Sequence, residues 1–220
     1  MLKNLAMEAL GMGDIGSVVS ADDYKHTDSD DYVMYEEGEK IYFLIKSKTD
    51  EYCFTNLALI HLDGSSAVNK KRLLNRYSYS QNIIRDVRLE TAGTVDMDVE
   101  IKFVLGDNSY SIDVAKVYLN QLRDLYKALV KIASIQRENS TYYQYAQTSL
   151  NTASSTVSRA TNTSTPEEHF KEINWYAFNW LKYAHETYIR KDFSEIFDRF
   201  IEQHNVINTS LDYETIVQER

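Results

Sequence analysis

From Val95 to Phe103 the chain reads VDMDVEIKF, with carboxylates at every second position: Asp96, Asp98 and Glu100. Acids in such a row suggest a cation site or acid–base chemistry. On an extended strand, same-face side chains stand roughly 6–7 Å apart, too far to close around one ion, and no further ligand type lies nearby in sequence. The pattern therefore predicts a strand with Met97, Val99, Ile101 and Phe103 on the core side and the acids in water, paired with cations such as Arg85, Arg88 or Lys71.

Other chemistry-bearing patterns fail on context. GMGDIG at 11–16 spells a dinucleotide fingerprint, but a helical pattern precedes it and no strand–helix–strand unit surrounds it. The histidines His26, His61, His169, His185 and His204 are scattered and form no zinc motif. The acidic run starting at Asp28 has Val33 where a calcium loop needs glycine. No P-loop or nucleophile elbow is present, and Cys53 is the single cysteine, which excludes an intramolecular disulfide and a cysteine-built zinc site. No catalytic, metal or cofactor site is expected, and the reading is non-enzymatic.

Two groups could instead recognise a partner. Lys70, Lys71, Arg72 and Arg76 form a basic cluster, with Lys46 and Lys48 on an earlier strand end. They read either as polar strand faces around a turn or as a contact for anionic lipid head groups. Trp175 and Trp180 flank the apolar side of a helix near the C-terminus. With Asp98 and Glu100, these residues make up the candidate interaction surface.

The elements that must position them follow from composition and periodicity. The chain has 220 residues, 43% hydrophobic, with 17 tyrosines, a net charge of −9 and a pI near 5.1. That is enough to build a core, and it argues against nucleic acid as the main partner. No apolar run is long enough for a membrane span, and the N-terminus lacks the apolar core of a signal peptide, so a cytoplasmic location is expected.

Leu2, Leu5, Ala6, Ala9 and Leu10 predict a short helix stopped by Gly11 and Gly13, and the acidic residues 20–31 a loop. Seven strands are expected between Tyr32 and Val114: YVMYE, KIYFLIKSK, EYCFTNLALIHL, KKRLLNRYSY, IIRDVRLE, DMDVEIKFVL and SYSIDV. A helical period then runs over residues 114–150, with Val117, Leu119, Leu122, Leu125, Leu129 and Ile132 on one stripe. Residues 151–165 are Ser/Thr-rich and read as a loop or frayed end. Thr165, Pro166 and Glu168 form a capping box for a helix whose apolar side holds Phe170, Ile173, Ala177, Phe178, Leu181, Ala184 and Tyr188. Asp192 and Glu195 repeat the capping logic before Phe197. The expected division is a β-domain with its capping helix at 1–130, a helical hairpin at 131–206 and a tail at 207–220.

Several stretches resemble the bacterial pleckstrin-homology-like domain family. They are EEGEKIYFLIKS, EYCFTNLALIHLDG with Thr55, Asn56, Leu59 and Ile60, and above all RYSYSQNIIRDVRLETAGTVDMDVEIKF. The rest of the chain resembles the helical oligomerisation extension of YvbH-like members. The resemblance implies an α+β fold: a pleckstrin-homology-like seven-stranded antiparallel sandwich or barrel capped by a C-terminal helix and followed by a helical hairpin. It also implies a scaffolding module whose PH-like domain and extension self-associate, with a ring-like, even pentameric, homo-oligomer and an unidentified protein partner. Peripheral membrane binding through Lys70–Arg76 is the alternative, although the first hairpin, where Lys46 and Lys48 follow Glu36, Glu37 and Glu39, gives no basis for carrying over phosphoinositide binding.

Overall fold

The structure, a computed structural model, describes residues 14–64, 72–91, 98–157 and 165–202. The expected N-terminal helix, the 92–97 turn with Asp96 and Met97, the tail from 207, and Lys70 and Lys71 lie outside the described residues. The chain divides into two compact units, one of residues 1–133 with 191–220, the other of residues 134–190.

The first unit is built on two antiparallel sheets. One has five strands in sequence order: β1 (Ser17–Val18), β2 (Ile41–Lys46), β3 (Glu51–Thr55), β4 (Ala58–Asp63) and β5 (Leu73–Ser78). The other has three: β6 (Ile84–Thr91), β7 (Asp98–Leu105) and β8 (Asn108–Ala115). In β7 the residues alternate between partly exposed and buried, with Val99, Ile101, Phe103 and Leu105 inward and Asp98 and Glu100 outward. A period of two leaves one face for the core. Across the interior Phe54 of β3 meets Phe103 of β7, ring centroids 6.0 Å apart, and Phe103 stacks on Tyr110 of β8 at 5.0 Å. Burying such rings contributes about 1.5–3 kcal/mol apiece.

Gly16 joins the sheets. Its N–H donates to Asp113 O at 2.8 Å and its carbonyl accepts from Ala115 N at 2.9 Å. A Cβ there would stand 2.7 Å from Ile45 Cγ2 and 3.1 Å from Asp113 O, so only glycine fits the junction.

Several elements depart from the sequence expectations. YVMYE is not a strand: Tyr35–Glu37 is a 3-10 turn that ends at Gly38, whose φ is 78°. Met34 N–H donates to the buried Glu39 carboxylate at 2.8 Å, which holds the chain reversal ahead of β2. The acidic stretch 20–31 is two 3-10 segments, Ala21–His26 and Asp28–Tyr32, and Glu51 accepts the N–H of Ser29 at 2.8 Å. EYCFTNLALIHL divides into β3 and β4 because Thr55 Oγ1 accepts from Leu57 N and Ala58 N, forming a turn. With β1, the described strands number eight.

Helix α1 spans Leu119–Val157, preceded by a 3-10 turn, Lys116–Tyr118, that leaves Val117 exposed. Leu122, Leu125, Leu129 and Ile132, at helical spacing, are buried in the first unit. The helix continues to 157, through much of the Ser/Thr-rich stretch, with Thr148 and Thr152 hydroxyls bonding back to the carbonyls four residues earlier.

In the second unit the remainder of α1 runs antiparallel to α2 (Pro166–Tyr188): Tyr142 lies against Tyr188, centroids 5.7 Å apart, and Trp180 against Ala146. The capping box at Thr165 and Glu168 is present. Ile173, Ala177, Leu181, Ala184 and Tyr188, with His169 and Asn179, are the less exposed positions of α2. Phe170 and Phe178, expected on that side, are exposed. Phe178 follows Ala177 and is turned about 100° from it, and Phe170 sits at the end of the hairpin where α1 residues 151–155 are all exposed.

Back in the first unit, a short helix α3 (Ser194–Phe197) continues into a π turn, Asp198–Glu202.

Candidate interaction surfaces

Three groups of residues stand out, one a buried joint and two at the surface. The first is the joint at Thr55 and Asn56, both buried. Thr55 Oγ1 donates to Glu39 Oε1 at 2.5 Å, and Arg76 Nη2 donates to the same oxygen at 3.0 Å. Glu39 is therefore a buried carboxylate compensated by an arginine, a hydroxyl and a backbone amide, which is what burial of a charge demands. Asn56 accepts from Lys40 N at 2.7 Å, donates to Asp192 Oδ2 at 2.9 Å, and takes Phe193 N–H on its carbonyl at 3.0 Å.

These bonds seat the C-terminal segment. Phe193 and Phe197 are fully buried, Phe197 stacked on Tyr42 at 5.2 Å and Phe193 edge-on to Tyr79 at 5.9 Å. Burial pushes the Tyr42 hydroxyl up to about 12. The sequence showed Thr55 and Asn56 only as part of a strand, since their partners lie far along the chain.

The second group is the charged outer face of the three-stranded sheet. Glu90, Glu100 and Asp113 sit side by side on β6, β7 and β8. Lys102 bridges Glu90 at 3.0 Å and Glu100 at 2.8 Å, and Ser111 Oγ donates to Glu100. For Glu100 the cation comes from its own strand, not from Arg85, which donates to Gly106 O at 2.7 Å, nor from Arg88, which stands opposite Lys102, while Asp96 and Lys71 lie outside the described residues. Partial burial pushes the Glu100 carboxyl up, but the hydrogen bonds from Lys102 and Ser111 outweigh it, and the group lies below its ordinary range. Asp113 is held above its ordinary range by burial first, then by Glu100 and Asp98. Among the described residues no group of three or more His, Cys, Asp or Glu is placed to hold a metal ion.

Of the basic cluster, Arg72 pairs with Asp28 and Arg76 with Glu39. Both described cations are engaged within the chain, which leaves the head-group reading without support there. Among the described residues no helix is long and apolar enough to cross a membrane.

The third group is the aromatic surface of α2. Tyr176, Trp180 and Tyr183, spaced i, i+4, i+7, are 70%, 42% and 58% exposed, and Trp175 is 64% exposed. Trp180 is fixed on one side by its indole N–H donating to Ala146 O at 2.9 Å. Trp175 lies edge-on to Tyr176, centroids 5.7 Å apart. Large aromatics exposed together at helical spacing are unusual on a monomer and are characteristic of an interface. Trp175 and Trp180 belong to the second unit, and Arg72, Arg76, Asp98 and Glu100 to the first.

Residues 9–133 match the family described as bacterial PH domain, and residues 144–203 match the YvbH-like oligomerisation region. The chain is 50% identical over 207 residues to the uncharacterized protein YvbH of Bacillus subtilis (strain 168), covering 91% of this chain and 99% of that one. It also resembles the crystal structure of a PH domain containing bacterial protein from Exiguobacterium sibiricum 255-15, with a TM-score of 0.79 and 49% identity over 86% of this chain and all of that one. The two antiparallel sheets, the helix that follows them and these matches together place the chain in the bacterial PH domain family, with a YvbH-like oligomerisation region at its C-terminal side.

Proposed function

We propose that the chain is a non-enzymatic scaffold that assembles with further copies of itself through the helical hairpin of residues 134–190. The observation that carries this reading is the exposed aromatic stripe Tyr176, Trp180 and Tyr183, with Trp175 beside it, inside the region that matches the oligomerisation family. Packed against a second copy, such rings lose apolar area to water at about 25 cal/mol per Å², and aromatics dominate interface energetics. The hairpin presents the adhesive surface and the β-domain is the cargo or recognition element that the assembly makes multivalent.

Size-exclusion chromatography with light scattering tests this. The wild type runs at a multiple of 25.6 kDa at micromolar concentration, and Tyr176→Asp/Tyr183→Asp moves the mass toward that of one chain. A wild type that is monomeric under these conditions overturns the reading.

A further inference from the structure

Along one side of the first unit runs an open groove of about 1130 Å³, walled by the 3-10 segment Ala21–His26, the first half of β2, the start of α1 and the π turn. It exceeds the roughly 300–1,000 Å³ of small-molecule clefts. Among the described residues its charge is one-sided: Asp22, Asp23, Asp124 and Asp198 line it against Lys40 alone. Asp124 is almost completely buried and paired with Lys127 at 3.1 Å, so one carboxylate lies at depth while the others stand along the walls. Tyr24, Tyr42 and Tyr118 supply aromatic surface between the acids.

The groove also carries a strand edge. Among the described residues β1 pairs only with Ile45 and Lys46, and Val19 N–H reaches Leu44 O at 2.9 Å. Among the described residues no strand pairs with β2 on that side from Ile41 to Phe43. The carbonyl of Tyr42 there accepts from the Tyr24 hydroxyl, at a long 3.3 Å. A strand edge beside carboxylates and aromatic rings can bind an extended backbone through its amides, and lysine or arginine side chains through charge-assisted and cation–π contacts.

We propose that this groove docks an extended arginine- or lysine-bearing peptide segment of a partner protein, its backbone laid along Ile41–Phe43 and its cations directed to Asp22, Asp23 and Asp198. This site lies in the β-domain and does not depend on the hairpin assembling.

Fluorescence anisotropy with the full chain tests it, using a fluorescein-labelled octapeptide that alternates arginine with threonine and a second that alternates glutamate with threonine. The arginine peptide binds saturably and the glutamate peptide does not. Asp22→Asn/Asp23→Asn/Asp198→Asn weakens binding at least tenfold. Glu90→Gln/Asp98→Asn/Asp113→Asn, which removes as many acids from the outer sheet face, changes it less than twofold and controls for the net negative charge of the chain. Methylating alternate backbone amides along one edge of the arginine peptide abolishes binding, while methylating the other edge does not. Absence of saturable binding, equal weakening by the two triple variants, or indifference to which edge is methylated overturns the proposal.

Discussion

The side-chain amide of Asn56 donates to the carboxylate of Asp192 at 2.9 Å across 136 positions of sequence. The same asparagine holds Lys40 N–H and Phe193 N–H, so one buried polar residue connects the β3–β4 turn, the start of β2 and the C-terminal segment. Asn56→Ala strands the Lys40 amide and removes the Asp192 contact, and lowers stability by about 2–3 kcal/mol. Asp192→Ala loses a bond at an exposed end together with the turn it makes with Ser194 N–H at 2.7 Å, and costs about 1 kcal/mol. Urea unfolding followed by circular dichroism checks both, and equal losses for the two variants contradict the assignment.

Arg76 compensates Glu39 at 3.0 Å in a site where the carboxylate side chain has no exposure. Arg76→Met keeps the aliphatic stem but leaves that charge without its cation, and lowers stability by about 3 kcal/mol. Arg76→Met/Glu39→Gln recovers much of the loss, because both charges are then gone while the amide oxygen can still accept from Met34 N–H. A double variant no more stable than the single one rejects this account.

Trp180 reports on the hairpin. Trp180→Phe keeps an aromatic ring but loses the 2.9 Å bond to Ala146 O, and destabilises the hairpin by about 1 kcal/mol. Hydrogen exchange of residues 140–150 increases while that of β7 does not change. Equal acceleration in β7 shows that the two units do not open separately.

Asp86 adopts a φ of 53° where the β6–β7 register shifts between Arg85 and Arg88. A left-handed backbone is expensive for residues with a Cβ and least so for glycine. Asp86→Gly is therefore neutral to stabilising by about 0.5 kcal/mol, and Asp86→Val destabilises by about 1–2 kcal/mol. Thermal melts of the pair rank them, and the reverse order removes the strain argument.

Asp113 stands opposite Glu100, and its carboxyl lies above its ordinary range in the folded chain. A raised carboxylate pKa means that the folded state binds the proton more tightly than the unfolded state does. Its ionisation therefore costs stability as pH rises through the window between the unfolded value, about 3.9, and the higher folded one. Asp113→Asn raises stability at pH 7 by about 0.5 kcal/mol, as expected for relief of facing like charges, and the gain disappears below pH 4. Glu100 is shifted downward, so its contribution is present above its unfolded pKa and fades as pH falls through the folded one. A gain from Asp113→Asn that persists unchanged at pH 3 excludes this cause.

What the sequence made legible was periodic and local. The alternation around Asp98 and Glu100 became a strand with one buried face, and the Thr165–Glu168 capping box starts α2 as read. Leu122 to Ile132 formed the buried stripe of α1, and the family resemblance agreed with the two sheets and the helix after them. What stayed hidden depended on distant partners. No local pattern pairs Asn56 with Asp192 or Arg76 with Glu39, and both decide where a chain segment lies. YVMYE has strand composition but turns because of the buried Glu39 beyond it. The aromatic side of α2 was ambiguous because hydrophobic residues surround much of that helix, so period alone could not separate Ile173, which faces inward, from Phe178, which does not.

Because Phe193 and Phe197 complete the same unit as Tyr42 and Tyr79, that unit cannot close while the chain is still short. A ribosome that has made β2 and β5 must still translate residues 79–192 before Phe193 and Phe197 follow, roughly 6–23 seconds at about 5–20 residues per second. During that interval the faces of Tyr42 and Tyr79 are open to any apolar segment at hand, including the aromatic residues of α2 as they emerge, or to a chaperone. The order of synthesis thus sets a vulnerable interval in which Asn56 waits for a partner made well over a hundred residues later.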